Sequence, residues 1–272
     1  MSRGPPPVSF LSSINNKPKT MEIIKASKKR SYGSDLFHIE ILYPGEALGL
    51  NDTGFYTIGR LDHANFKPPG VVLMHPHRDD EILSYMRSGK QEHKDSMGVR
   101  KDLDATNLMM MNAGSGVQHE ESAEKDVEML QIFMRPSENG LEPLVQFHQF
   151  DSIYSENQWR LIAGNIDAAP LKLRVETLIY DTRLNKGKTL TAPKTAEEKI
   201  IQLLYCFNGS VSLGRESLKK GDCAIFQDEQ VEIKALSQTD LIIFQIIPDA
   251  KYSESGMYSG NKYGTRKTVA SN

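Results

Sequence analysis

His75 and His77 stand one residue apart, with Pro76 between them, in the run Met74-His75-Pro76-His77-Arg78-Asp79-Asp80-Glu81. Proline restricts the residue before it to extended backbone, and strand side chains alternate with period two, so both imidazoles are expected on one strand face. His119 and Glu121 repeat the spacing in Gly116-Val117-Gln118-His119-Glu120-Glu121, and should likewise share a face. Neutral imidazole nitrogens with one carboxylate oxygen suit a divalent first-row transition metal, and leave coordination positions for water, oxygen or substrate. Three of the 7 histidines then fall at matched spacings, a more specific pattern than one His-x-His pair. Glu81 has the parity to share the face of His75 and His77, so the residues leave both Glu81 and Glu121 open as the carboxylate ligand. Glu120, of opposite parity to His119, is expected to point away.

The remaining candidates read more plainly. His93 lies among charges in Gln91-Glu92-His93-Lys94-Asp95 and is expected to be an exposed strand histidine. His38, His63 and His148 have no partner at ligand spacing. Met109, Met110 and Met111 read as apolar strand filler before a turn rather than as a soft-metal box. Arg78 and Asp79 are either outer support for the site or loop charges.

The elements that must position these side chains are short alternating or apolar runs punctuated by turn residues, the signature of an all-β sandwich or barrel. Residues 37–43 end at Pro44-Gly45, residues 71–74 follow Pro68-Pro69-Gly70 and lead into the histidines, and residues 81–86 close at Ser88-Gly89. A hairpin at Ser96-Met97-Gly98 and a turn at Ala113-Gly114-Ser115-Gly116 come before His119. The second half repeats this plan: residues 200–209 echo 81–89, residues 217–226 echo the strand before the glycine turn, and residues 240–248 echo 128–136. Setting Gly89 against Gly209 puts Thr195 and Glu197 opposite His75 and His77, and no histidine follows His148. The metal site is therefore expected in the first copy only.

We divide the chain into an N-terminal extension (residues 1–20, with Pro5, Pro6 and Pro7), a first domain (21–150), a second domain (151–250) and a tail (251–272). The extension lacks the pattern of a secretory signal or transit peptide and is expected to be disordered. Trp159 sits in a polar connector and is expected to pack on one of the two units, and the Ser-, Gly-, Lys- and Tyr-rich tail should dock loosely. At 272 residues, with Lys+Arg 33 against Asp+Glu 35, the chain has no global basic field for nucleic acid or membrane, which favours a small partner. No apolar run approaches the roughly 18 residues of a membrane helix. Cys206 and Cys223 lie in apolar strand-like runs, which suits buried free thiols in a reducing, cytoplasmic setting; the chain is expected to be soluble, and a monomer is the expected state.

At this point the chain resembles the pirin family of two-domain cupins. The matching residues are His75-Pro76-His77-Arg78 with Glu81, Glu92-His93-Lys94-Asp95-Ser96-Met97-Gly98, the segment 112–121 from Asn112 to Glu121, and Leu130-Gln131-Ile132-Phe133. The resemblance covers residues 21–249, more by residue in the first half and more by pattern in the second. It implies two tandem jelly-roll β-barrels, a bicupin, with one metal, usually iron, at His75, His77, His119 and Glu121. That favours Glu121 over Glu81; Mn, Ni, Cu and Zn suit the same donors. It further implies a quercetin 2,3-dioxygenase type of activity on a phenolic substrate with O2, Glu121 acting as general base. The alternative is an iron-dependent redox-sensing co-regulator that acts through a protein partner. Met74, Leu83, Met109 and Phe133 are expected as pocket walls. The chain departs from the family in its aromatic hairpin, here Phe37-His38-Ile39-Glu40-Ile41, and in the lead-in Gly70-Val71-Val72-Leu73-Met74, both of which help shape the pocket mouth in such folds.

Overall fold

Alternating runs become strands because one face of each finds an apolar partner, and this chain has two such faces to cover. The computed structural model describes residues 21–194, 199–227 and 230–264. The first half holds β1 (Glu22–Ile24), β2 (Arg30–Gly33), β3 (Phe37–Leu42), β4 (Ile58–Phe66), β5 (Val71–His77), β6 (Glu81–Asp95), β7 (Arg100–Asp104), β8 (Asn107–Asn112), β9 (Val117–Met134) and β10 (Leu144–Gln149). The second half holds β11 (Arg160–Gly164), β12 (Thr177–Leu184), β13 (Thr189–Leu190), β14 (Ile201–Asn208), β15 (Ser210–Leu213), β16 (Glu216–Lys219), β17 (Cys223–Phe226), β18 (Ile233–Ala235) and β19 (Thr239–Ile246). Helix is confined to Pro44–Ala47 and a 3-10 turn at Ala26–Lys28 among the described residues.

The repeat read from the sequence is a repeat of topology. One sheet runs β10-β8-β6-β9-β4-β3-β2, with β5 also on β9 and β7 on β6, and the other runs β1-β17-β14-β19-β12-β11. The shared order β8-β6-β9-β4 and β17-β14-β19-β12 pairs the same echoed segments in both copies. A four-stranded sheet, β13-β18-β15-β16, closes the second unit. The proposed counterparts of the histidines, Thr195 and Glu197, lie outside the described residues, as do residues 1–20.

Two chain ends depart from the expected boundaries. β1 pairs with β17, so residues 22–24 complete the second unit's sheet. Residues 251–264, the described part of the tail, return to the first unit and are buried there at Gly256, Ser259 and Gly260, so this part is held more firmly than the loose docking expected of it. Trp159 joins the second unit, packing on its interior cluster and donating from Nε1 to the Thr191 carbonyl at 2.7 Å.

The units meet across a shared apolar layer in which Leu83, Tyr85, Ile132 and Met134 pack with Ile179, Tyr205, Phe207 and Phe244. Polar contacts fix their relative placement. Asp181, 1% exposed, accepts from Tyr85 Oη at 2.9 Å, Arg87 Nη2 at 3.0 Å and Arg160 Nε at 2.9 Å. His63 stacks on Phe207 at 4.5 Å and lies 2.8 Å from Tyr205 Oη. Cys206 and Cys223 are buried free thiols, and burial is the chief cause that pushes Cys206 up to about 12 and raises Cys223 as well. The strands that carry the histidines are β5, β6 and β9. β6 and β9 pair along nearly their full length with register shifts around Ser88 and Lys90, and Gly89 (φ 90) occupies the bulge where a Cβ would fall 2.2 Å from the Asp126 carbonyl. This bend sends Leu83 and Tyr85 to the domain interface and Gln91, His93 and Asp95 over the first unit's interior.

Candidate metal centre

The antiparallel pairing of β5 with β9 places His75 directly opposite His119, and the period-two spacing brings His77 to the same face. The Nε2 atoms of His77 and His119 lie 3.0 Å apart, and those of His119 and His75 3.1 Å apart. All three histidines offer ligand atoms within 4.8 Å of one another. Two nitrogens bound at right angles to one cation, each at ~2.1 Å, stand about 3 Å apart, so this spacing fits three adjacent metal ligands. Three imidazole edges gathered without an intervening acid have no better shared partner than a cation.

The outer nitrogen of His75 and the burial of His77 and His119 agree with that role. His75 Nδ1 lies 2.9 Å from the Leu73 carbonyl, leaving Nε2 to ligate. His77 and His119 are buried at 4% and 2% exposure, and their Nδ1 atoms have no hydrogen-bond partner. Burial lowers the His77 pKa, and burial together with the neighbouring His77, His75 and His93 rings pushes His119 down to about 2. Neutral imidazole is the form a metal takes.

Glu121 shares the inward face of β9 with His119 and is buried. Its Oε1 accepts from Gln91 Nε2 at 3.0 Å and its Oε2 from Gln131 Nε2 at 3.1 Å. It stands beside the histidine triad rather than within the 4.8 Å group. Glu120 turns the other way, with Lys94 Nζ at 3.5 Å.

Glu81 is not at the triad. Asp79 takes a left-handed backbone (φ 54) between β5 and β6, so parity does not carry through the turn. The Glu81 carboxylate instead accepts from Asn112 Nδ2 at 2.9 Å and from the Arg174 N–H at 2.7 Å, and burial raises its pKa to about 7. His93 also corrects its expectation: it is fully buried, its ring 5.4 Å from that of His119 and its Nε2 2.9 Å from Asp95 Oδ2. β6 is flanked by β7 and β9 at this point, so alternate residues of a charged run are forced inward, while Glu92 pairs outside with Lys94 and Arg100.

Of the expected pocket walls, Phe133 lies 6.0 Å from the His77 ring and Met74 is 46% exposed at the mouth. Leu83 faces the domain interface and Met109 the barrel interior. The apolar group at the site is Ile82, Met111, Val117 and Phe133, joined by Val145 and Tyr258. A recess in front of His77 is lined by Pro76, Arg78, Ser115, Gln118 and Met257. Arg78 is exposed, and Asp79 Oδ1 caps the Gly140 N–H at 2.7 Å. Reading the sequence missed Gln91, Gln131 and Asp80, whose Oδ2 lies 3.7 Å from His77 Nδ1; their only local signal is inward parity on β6 and β9 for the glutamines, and none exists for Asp80.

With this geometry in place, comparison with known proteins gives a consistent result. A family model described as Pirin matches residues 54–134, and one described as Quercetinase C-terminal cupin domain matches residues 161–246. A quercetin 2,3-dioxygenase of Escherichia coli O157:H7 is 28% identical over 177 residues, covering 64% of this chain and 75% of that relative. The crystal structure of YhhW from Escherichia coli superposes with a TM-score of 0.74 at 23% identity, over 84% of this chain and 98% of that one. A structure described as bacterial pirin YhhW in complex with nickel(II) gives 0.73 at 22% identity, over 84% and 100%.

Proposed function

Because the chain belongs to the pirin family of two-barrel cupins, we propose that it is a metal-dependent dioxygenase opening flavonol-type phenols such as quercetin. His75, His77 and His119 would hold the divalent cation, iron by family habit, with Glu121 as the fourth ligand and general base. The observation that carries this reading is the convergence of three imidazole Nε2 atoms at 3.0 and 3.1 Å on one face of a β5–β9 pair.

A bound divalent metal supplies Lewis acidity, which makes a coordinated phenolic or enolic oxygen easier to deprotonate. The chain's own residues do the rest. Glu121 accepts the hydroxyl proton on a carboxylate oxygen, and the Gln91 and Gln131 amides hold that carboxylate in place from two sides. Ile82, Met111, Val117 and Phe133 form a buried apolar cluster beside the histidines, and Val117 carries it into the lining of the recess. The recess between Pro76, Gln118 and Met257 gives a planar substrate and O2 a way in.

A second reading, a metal-bearing regulator recognised by a protein partner, draws on a separate feature. Val71, Leu73 and Met74 are exposed beside His75, an apolar rim on a strand paired on one side only among the described residues.

Elemental analysis of tag-free protein, wild type beside His75→Ala, with aerobic quercetin turnover after iron, manganese or nickel loading, separates the two. Near-stoichiometric metal and turnover, both lost in the variant, support the dioxygenase. Metal without turnover under every loading transfers support to the regulator, and no bound metal rejects both.

A further inference from the structure

The segment after the second barrel lies beyond residue 246, where the family match ends, yet it is tied to the first barrel at two of its buried charged residues, Arg135 and Asp80. Arg135, 0% exposed, holds Asp52 with Nη1 and Nη2 at 2.6 Å each, and its Nε donates to the Ser259 carbonyl at 2.8 Å. Asp80 Oδ1 accepts from the Ser259 N–H and Oγ at 2.7 Å each and from the Tyr258 N–H at 3.0 Å. The Met257 N–H donates to the Arg78 carbonyl at 2.9 Å, and Tyr263 Oη donates to Glu46 at 2.9 Å. Gly59 provides the groove: a Cβ there would fall 2.3 Å from Ser259 Cα.

The partners of this segment are not scattered. Arg78 and Asp80 follow His77 on the chain by one and three residues. The Tyr258 ring lies 4.9 Å from the His77 ring and 5.9 Å from Phe133, with the Arg60 guanidinium 4.8 Å from its face. Met257 lines the recess in front of His77. A histidine ligand's outer nitrogen ordinarily finds a carboxylate that orients the ring, and Asp80 Oδ2, 3.7 Å from His77 Nδ1, is the carboxylate oxygen placed to do so, in an ion-pair contact longer than a hydrogen bond. Three donors from residues 258 and 259 hold that carboxylate where it is.

We infer that residues 256–263 form a strap that is part of the metal centre: it fixes Asp80 behind His77 and lays Tyr258 against the ring, so setting metal affinity and ligand geometry from the far end of the chain. Asp80, Tyr258 and Ser259 are positioning residues in this scheme. The inference rests on the metal reading above and deepens it.

Cobalt(II) is the probe, since it reports both affinity, by chelator competition, and ligand geometry, by its visible absorption. Full-length wild type is compared with Asp80→Asn, Tyr258→Leu, Tyr258→Phe and Ser259→Ala, each checked for native circular dichroism. Asp80→Asn and Tyr258→Leu should bind cobalt about 10- to 100-fold more weakly, the usual cost of losing a ligand's outer support, and should move the absorption bands. Tyr258→Phe keeps the ring and should stay within about twofold of wild type, because the Tyr258 hydroxyl has no hydrogen-bond partner among the described residues. Ser259→Ala removes one of the donors to Asp80 without cutting the strap, and should weaken binding several-fold even if Asp80→Asn fails to fold. Folded variants that all bind like wild type with unchanged bands would reduce the strap to a structural tie and overturn the inference while leaving the metal site standing. Wild type that binds no cobalt would overturn both.

Discussion

Replacing His119 by alanine should abolish the stabilisation that metal gives the protein while costing the metal-free protein little. Any ligand that binds only the folded state adds RT ln(1 + [L]/Kd), about 2.7 kcal/mol at 100-fold excess over Kd. For a chain of 272 residues whose units share one apolar layer, about 1 kcal/mol moves the midpoint by about 2 °C. Wild type should therefore gain about 5 °C between EDTA and saturating nickel or iron in a calorimetric melt. His119 contributes the nitrogen that lies 3.0 and 3.1 Å from the other two, so its loss should remove the gain entirely. In EDTA the two costs oppose: the imidazole's packing is worth about 2 kcal/mol, but its buried Nδ1 has no partner, a penalty of about 1–3 kcal/mol that the variant relieves. Glu120→Ala loses only a partly exposed contact with Lys94 and should melt and respond to metal as wild type does. The reasoning is refuted if His119→Ala keeps the metal shift, or if Glu120→Ala loses it.

Asp181→Ala leaves the buried Arg87 guanidinium without its acid at the domain interface, and should destabilise by about 3–5 kcal/mol; an unchanged midpoint in guanidinium chloride would show that the pair does not hold the units together. Burial raises Glu81 from 4.5 to about 7, so its protonated form is favoured by folding: that contribution is complete below about pH 4.5 and is lost as pH rises through 7, on the order of 3 kcal/mol at full ionisation. Urea titrations at pH 5.5 and 8.5 should therefore show a larger fall in wild type than in Glu81→Gln, and equal falls would sink the assignment. Gly59→Ala drives a methyl into Ser259 and should expose residues 256–264 to limited proteolysis; protection equal to wild type would mean the groove yields without releasing the strap.

Much of the site was legible because His-x-His and His-x-Glu are statements about strand parity, which is local. His75, His77 and His119 needed only the period of two and a register between β5 and β9, and the outward turn of Glu120 follows from the same rule. The repeat was equally visible, since residues 200–209 and 240–248 carry the apolar runs that any buried sheet face requires. Parity failed where the backbone left the strand. Asp79 at positive φ separates Glu81 from the histidines, and no alternation survives such a turn.

What only the tertiary structure decided depends on which neighbours cover a strand. His93 sits in a run of charges that reads as solvated, yet β7 and β9 close over both edges of β6 and bury it. β1 crosses to the second sheet, and the segment ending the described chain returns to the first barrel to meet Asp80 and His77. Its Ser, Gly, Lys and Tyr composition reads as loosely docked because the partners that pin it, Arg135, Asp80 and the groove at Gly59, lie more than a hundred residues away in the sequence. Sequence fixes which side chains can share a face; long-range packing decides which faces meet.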